Sequence, residues 1–259
     1  MKKNISLLSF LGLIVVLITS CTTNELLDSN FNSHNVGYPP IKSIPNSIAE
    51  DSILYESSIS PRLKIISLPT IDGVEAHKEL EFSNVPVVAS QEGGHSRTWL
   101  NFKGIRTDLS SIVTFSWLIK VDRTSSDLIT DLQDGYYNHI TRILINRAGE
   151  IRIPEVVYDW ECKRIIGRIT DFSRYYWFTI HLNARTNKFD LIIIGRGLEN
   201  SDPEKSGGTI NISGEKPFED LLKKEGEMKV YPKPEILFNW DNYSLGGRCL
   251  ISNVTIKKQ

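Results

Sequence analysis

The stretch Tyr175–Gly197, YYWFTIHLNARTNKFDLIIIGRG, constrains the fold more than any other part of the chain. Trp177, Thr179, His181 and Asn183 alternate with Phe178, Ile180 and Leu182, the period of two that puts one set on each face of a sheet. Ala184–Asn187 is short and polar, so the chain can reverse there. Leu191–Ile194 is a continuous aliphatic run, which suits a strand covered on both sides, and Gly195 and Gly197 close it. A buried helix is the other reading of Phe189–Ile193, disfavoured by the flanking glycines and the shortness of the run. Trp177 and Ile192 are expected to pack inward from neighbouring strands. The expectation is a sandwich of antiparallel sheets.

Other segments repeat the pattern. Ile112–Val121, IVTFSWLIKV, alternates Val113, Phe115, Trp117 and Ile119 with Thr114, Ser116, Leu118 and Lys120. Arg62–Leu68, Glu79–Phe82, Arg97–Phe102, Asn138–Asn146, Glu150–Ile153, Ile236–Phe238 and Cys249–Ile256 read as strands separated by turn residues. Ile48–Ile59 reads as a short helix or an edge strand. Asp122–Asp134 is polar and irregular, the composition of a loop. Pro217–Lys224 carries Phe218, Leu221 and Leu222 at helical spacing behind a proline that helices tolerate first, so one short helix is expected there.

Lys2 and Lys3 precede an apolar run from Ile5 to Ile18, followed by Thr19, Ser20 and Cys21. This is a secretion signal, too short for a membrane span of about 20 apolar residues. A cysteine directly after Thr19-Ser20 resembles the bacterial lipoprotein signal, which implies lipidation of Cys21 and an anchor in the bilayer. Ordinary secretion with Cys21 incidental is the alternative. Thr22 to about Ser60 holds Asn, Ser, Gly and several prolines, and reads as a tether. The division is therefore a signal over 1–20, a tether and N-terminal extension over 21–78, and a β domain over 79–259. Removing 1–20 takes Lys2 and Lys3 with it and leaves 28 basic and 31 acidic residues, a net charge of −3. With no basic aromatic motif, nucleic acid is not an expected partner. Cys162 and Cys249 are candidates for a disulfide in an exported chain, or else two buried thiols.

FSWLIKVD at Phe115–Asp122, ILINRAGEIRI at Ile143–Ile153 followed by the Tyr175–Gly195 stretch, and LGGRCLISNVTI at Leu245–Ile256 carry a family resemblance. Together they resemble the concanavalin A-like lectin/glucanase superfamily, including its laminin-G-like modules. The resemblance implies an all-β jelly-roll sandwich that meets sugars on a concave sheet or its rim loops. With the export signal, it is similar to the surface lipoproteins with which bacteria of the Bacteroides type gather polysaccharide. The expected function is glycan binding by a lipid-anchored envelope protein, most simply at the outer membrane. The alternatives are a glycoside hydrolase or polysaccharide lyase of the same fold, and a structural or protein-binding envelope lipoprotein that meets other envelope proteins.

Candidate site residues follow from the chemistry each function needs. Sugar rings offer C–H faces to aromatic side chains and hydroxyls to polar ones. Trp240, Asp241 and Tyr243 of the WDNY turn come first, then Tyr136, Tyr137 and Trp160, with Tyr176 a further aromatic candidate. GYYNHITR adds His139 and Arg142, a grouping suited to an anionic sugar or to proton abstraction. Trp99, Trp117 and Trp177 lie in alternating runs and read as core. Glu150 and Glu155 of EIRIPE match the spacing of the laminarinase-like carboxylates, but Arg152 stands where the intervening Asp belongs, so no catalytic residue is assigned. No cofactor is expected. The resemblance allows calcium, and Asp122, Asp127, Asp131 and Asp134 crowd one segment without EF-hand spacing.

Overall fold

Alternating segments become strands throughout the computed structural model, which describes residues 25–40, 53–56, 63–68, 77–84, 99–104, 112–122, 127–133, 139–154, 161–183, 188–200, 209–215, 234–240 and 247–259. The strands are β1 (Glu25–Ser29), β2 (Ile53–Glu56), β3 (Leu63–Ser67), β4 (Lys78–Asn84), β5 (Trp99–Lys103), β6 (Ile112–Val121), β7 (Leu128–Gln133) and β8 (His139–Ile145). They continue as β9 (Glu150–Ile153), β10 (Arg164–Ile169), β11 (Tyr176–Asn183), β12 (Lys188–Ile194), β13 (Leu198–Asn200), β14 (Thr209–Glu215), β15 (Glu235–Trp240) and β16 (Gly247–Lys258).

Two sheets form, both antiparallel among the described residues. Sheet I runs β14-β12-β11-β6-β16-β4-β3, with β1 also on β16; sheet II runs β13-β10-β9-β8-β7-β15-β5-β2. Their inner faces share one core. Phe115 and Trp117 of β6 and Phe178 of β11 face Phe102, Phe238 and Trp240 of sheet II. Trp117 stacks on Phe178 at 5.4 Å and meets Phe238 of the other sheet edge-on at 6.0 Å. Such aromatic contacts contribute about 0.5–1.5 kcal/mol each beyond the area they bury.

The long closing strand serves two neighbours because of one irregularity. β16 pairs with β4 through Gly247–Ile251 and with β1 through Val254–Lys257. Between these halves its register against β6 shifts, and Asn253 takes φ 48°. A bulge of this kind changes parity, so Cys249 and Ile251 point inward before it and Val254 and Ile256 after it. Asn is one of the few side chains that enters this conformation readily.

Several expectations are corrected. No helix occurs among the described residues, so the fold is an all-β sandwich without the expected helical detail; Pro217–Lys224 itself lies outside them. The sandwich takes in β1, β2 and β3 from the stretch 21–78 that reads as tether and extension, and Leu27 and Phe31 are fully buried. Within Ile48–Ile59, expected as a short helix or an edge strand, Ile53–Glu56 takes the second form, at the edge of sheet II on β5. Trp177 and Ile192 do lie on neighbouring strands, but Trp177 pairs with Ile194 and Thr179 with Ile192, all on the outer face of sheet I. β12 alternates accordingly, and Ile194 is 52% exposed, so this strand is covered on one face only. Of the two alternatives for Cys162 and Cys249, the structure has two buried thiols with no disulfide, and burial pushes the Cys249 thiol well up.

The most consequential correction is β7. LITDLQ, expected as loop, is a central strand of sheet II buried at every position. Leu128, Thr130 and Leu132 lie opposite Trp240, Phe238 and Ile236 on the core side. Ile129, Asp131 and Gln133 therefore face outward, and their polarity belongs to the other face of the sheet.

Candidate functional site

The outer face of sheet II is polar yet withdrawn from solvent. Asn101 (5% exposed), Asp131 (2%), Gln133 (4%) and Glu235 (2%) stand on it, opposite in parity to the core residues of the same strands. Register brings them together. Glu235 of β15 faces Lys103 on β5 and Gln133 on β7, while Leu237 faces Asn101 and Asp131. Asp131 in turn faces Arg142 on β8. One band of amides and charges crosses β5, β15, β7 and β8.

Each charge in the band has a partner. Arg142 donates from Nε to Asp131 Oδ1 at 2.6 Å and from Nη2 to Oδ2 at 2.9 Å, a two-pronged pair. Asn101 Nδ2 donates to Glu235 Oε2 at 2.7 Å. Lys103 Nζ lies 2.8 Å from Glu235 Oε1, a charge contact whose angles do not make a hydrogen bond. Because its amide nitrogen is committed to a carboxylate, the orientation of Asn101 is fixed and Oδ1 is its free acceptor. Asn101 Oδ1 and, one pleat along, Asn239 Oδ1 are buried without a hydrogen-bond partner. Buried acceptors left open this way cost about 1–3 kcal/mol each. Two on one face, on adjacent strands, mark a place where a donor is missing.

The band continues on β9 and β10. Glu150 accepts from Arg152 Nε at 3.1 Å, Arg168 Nη2 at 2.8 Å and Asn146 Nδ2 at 2.8 Å. The hairpin that delivers Glu150 turns at Gly149 (φ 81°), where a Cβ would come within 2.3 Å of Ile169 O, so only glycine fits. The two guanidinium groups hold the Glu150 carboxyl down to about 2. It therefore stays charged through the range in which a glycosidase acid must be protonated. The sign for stability is that of a depressed carboxylate: its contribution is complete above its ordinary value of 4.5 and is lost as pH falls from there toward about 2. Melting scans from pH 5 down to pH 2 are expected to show a falling midpoint, with a shallower fall for Glu150→Gln; equal slopes would contradict the pairing.

The outer face of sheet I is built differently. Tyr175 donates its hydroxyl to Glu79 at 2.6 Å, and His77 Nε2 lies 3.0 Å from the other oxygen of that carboxylate. Burial and the neighbouring Glu79 push the Tyr175 phenol well above its ordinary range. Trp177 donates to Thr179 Oγ1 at 3.0 Å. These groups satisfy one another and leave no open acceptor of the kind seen on sheet II.

The residues expected from sequence fare unequally. Trp240 is fully buried in the core, stacked on Phe82 at 5.8 Å, and Tyr176 is fully buried with its hydroxyl donating to Asp171 O and Arg196 O; neither can meet a ligand. Arg142 stands in the band. His139 begins β8 opposite Gln133, on the same sheet, though its side chain lies outside the description. Tyr136, Tyr137, Trp160, Asp241, Tyr243 and Cys21 lie outside the described residues, as does Glu155. The aspartates considered for calcium do not converge: Asp122 pairs with Arg248, Asp127 accepts from Arg147 N, Asp131 pairs with Arg142, and Asp134 lies outside the described residues. Among the described residues, no three His, Cys, Asp or Glu side chains gather as a metal site. No described helix is long and apolar enough to cross a membrane. Sequence reasoning missed Asn101, Lys103, Gln133, Glu235 and Asn239, and singled out Asp131 only as a calcium candidate. The signal was present in WLNFK, LITDLQ and EILFNW, where Asn101 and Lys103, Asp131 and Gln133, and Glu235 and Asn239 share one strand parity.

No protein-family model and no curated protein matches the chain. Among solved structures it is similar to a sialidase, at 12% identity and a TM-score of 0.51, over 92% of this chain and 19% of that one. It is similar to lectin II from Ulex europaeus at 9% identity and a TM-score of 0.36, over 83% and 95% of the two chains. A GH131 β-glucanase catalytic domain from Podospora anserina matches at 8% identity and a TM-score of 0.41, over 70% and 72%. The chain thus spans about a fifth of the sialidase, and at these identities likeness speaks for fold alone. With the two antiparallel sheets and their shared core, it supports an all-β two-sheet jelly-roll sandwich.

Proposed function

We propose that this chain binds a glycan on the outer face of sheet II, as a lipid-anchored protein of the cell envelope. The observation that carries the reading is the band of fixed charges and amides across sheet II, in which Asn101 Oδ1 and Asn239 Oδ1 lack a hydrogen-bond partner. Sugar hydroxyls are the donors such a surface lacks, and Lys103 and Arg142 add donors for ring and hydroxyl oxygens.

Hydrolysis is the weaker reading. It needs one carboxyl that can give up a proton and a second that can attack or activate water. Asp131 and Glu235 each already face a cation, and Glu150 faces two.

Titration of the soluble chain against a panel of polysaccharides tests the binding reading. Asn239 makes no protein hydrogen bond through Oδ1, so Asn239→Ala should leave the melting temperature unchanged and weaken binding about five- to tenfold, the worth of one hydrogen bond. Silence of the wild type across bacterial, plant and host polymers would sink the proposal. The anchor rests on Cys21: Cys21→Ala should leave an uncut precursor, and unchanged processing refutes lipidation.

A further inference from the structure

We infer that the glycan is anionic, and that Arg152 and Arg168 form the subsite for its acid group; this rests on the binding reading above. Arg152 and Arg168 come from neighbouring strands β9 and β10 and are held side by side by one carboxylate, Glu150, to which both donate. Glu150 divides one negative charge between the two guanidinium groups, and Glu199 of β13 stands opposite Arg168 in register. The other ion pairs of the same face, Lys103 with Glu235 and Arg142 with Asp131, are balanced one to one.

The two guanidinium groups are also set up to receive an anion. Glu150 is 14% exposed at its side chain, whereas Arg152 and Arg168 are 33% and 49% exposed. The carboxylate lies beneath and the cations lie above it. Glu150 occupies Nε and Nη2 of Arg152 and Nη2 of Arg168, and no described residue accepts from their remaining N–H groups. Fixing a guanidinium in advance removes much of the ordering cost of binding, and its planar fork matches carboxylate or sulfate oxygens. Directly opposite Arg152 stands Ile165, 43% exposed, an apolar surface for the C–H face of a sugar ring. Cation and apolar surface side by side are what an acidic pyranose presents in complement.

The test compares polygalacturonate with its methyl-esterified form, and dextran sulfate with dextran, on the purified chain at low and high salt. Binding to at least one anionic polymer about tenfold tighter than to its neutral counterpart is expected, with the preference fading in salt. Arg152→Gln/Arg168→Gln should erase the preference for the anionic polymer. The response of polygalacturonate against dextran sulfate says whether the acid group is carboxylate or sulfate. Equal binding of charged and neutral forms, or a preference that survives the double arginine variant, would overturn the inference and leave the glycan-binding reading standing. Failure to bind any polymer would overturn both.

Discussion

Trp240→Ala is expected to lower stability by about 3–5 kcal/mol and to leave ligand affinity unchanged in whatever fraction remains folded. The side chain is fully buried, stacked on Phe82 of the opposite sheet, and lies against the backbone of β16. A Cβ on Gly247 would come within 2.5 Å of its Cε3 atom, so the final strand crosses the indole at a distance that only glycine permits. Removing the ring opens a cavity between the sheets that neither sheet can close without giving up register. For a chain of this size the midpoint of thermal unfolding should fall by roughly 6–20 °C. Trp240→Phe should cost much less, because it fills most of the space and removes an indole N–H that is buried without an acceptor. An alanine variant that melts like the wild type but binds less tightly would return Trp240 to the role its WDNY turn suggests.

The second large effect concerns Arg142. Arg142→Ala leaves Asp131, whose side chain is 3% exposed, without its two-pronged cation, and should destabilise the chain by about 3 kcal/mol or more. Replacing both partners, Arg142→Met with Asp131→Leu, exchanges a buried ion pair for apolar contacts and should recover most of the melting temperature. If the pair serves the ligand rather than the fold, that stable double variant should nevertheless lose glycan binding. Chemical denaturation of the single and double variants, followed by titration of the double, separates the two roles. A double variant that binds like the wild type would remove Asp131 and Arg142 from the site.

Much of the sandwich is legible in the chain because alternation needs no tertiary information. Val113, Phe115 and Trp117, or Phe178, Ile180 and Leu182, can be buried together only on a strand, and the structure buries them so. Alternation does not say which face meets the core. Trp177 and Ile192 read as inward because they are large and apolar, yet they share parity with Thr179 and His181, and strand parity decided the outcome. The same ambiguity hid the site. LITDLQ carries a carboxylate and an amide that look like loop polarity, whereas they are the outward half of a central strand whose inward half is Leu128, Thr130 and Leu132. A recessed polar face and a solvated loop have similar composition. Only register against EILFNW and WLNFK shows that Asp131, Glu235 and Asn101 belong to one surface.

Blocking one face at a time tests the central claim most directly. Asn239→Trp places a bulky ring on the outer face of sheet II, and Ile194→Trp places the same ring on the outer face of sheet I, at a position already open to solvent. Both variants should fold, and titration with the polysaccharide that the wild type binds should show affinity abolished by the first and untouched by the second. The reverse pattern, with Ile194→Trp silent and Asn239→Trp binding normally, would contradict the assignment of the site to sheet II.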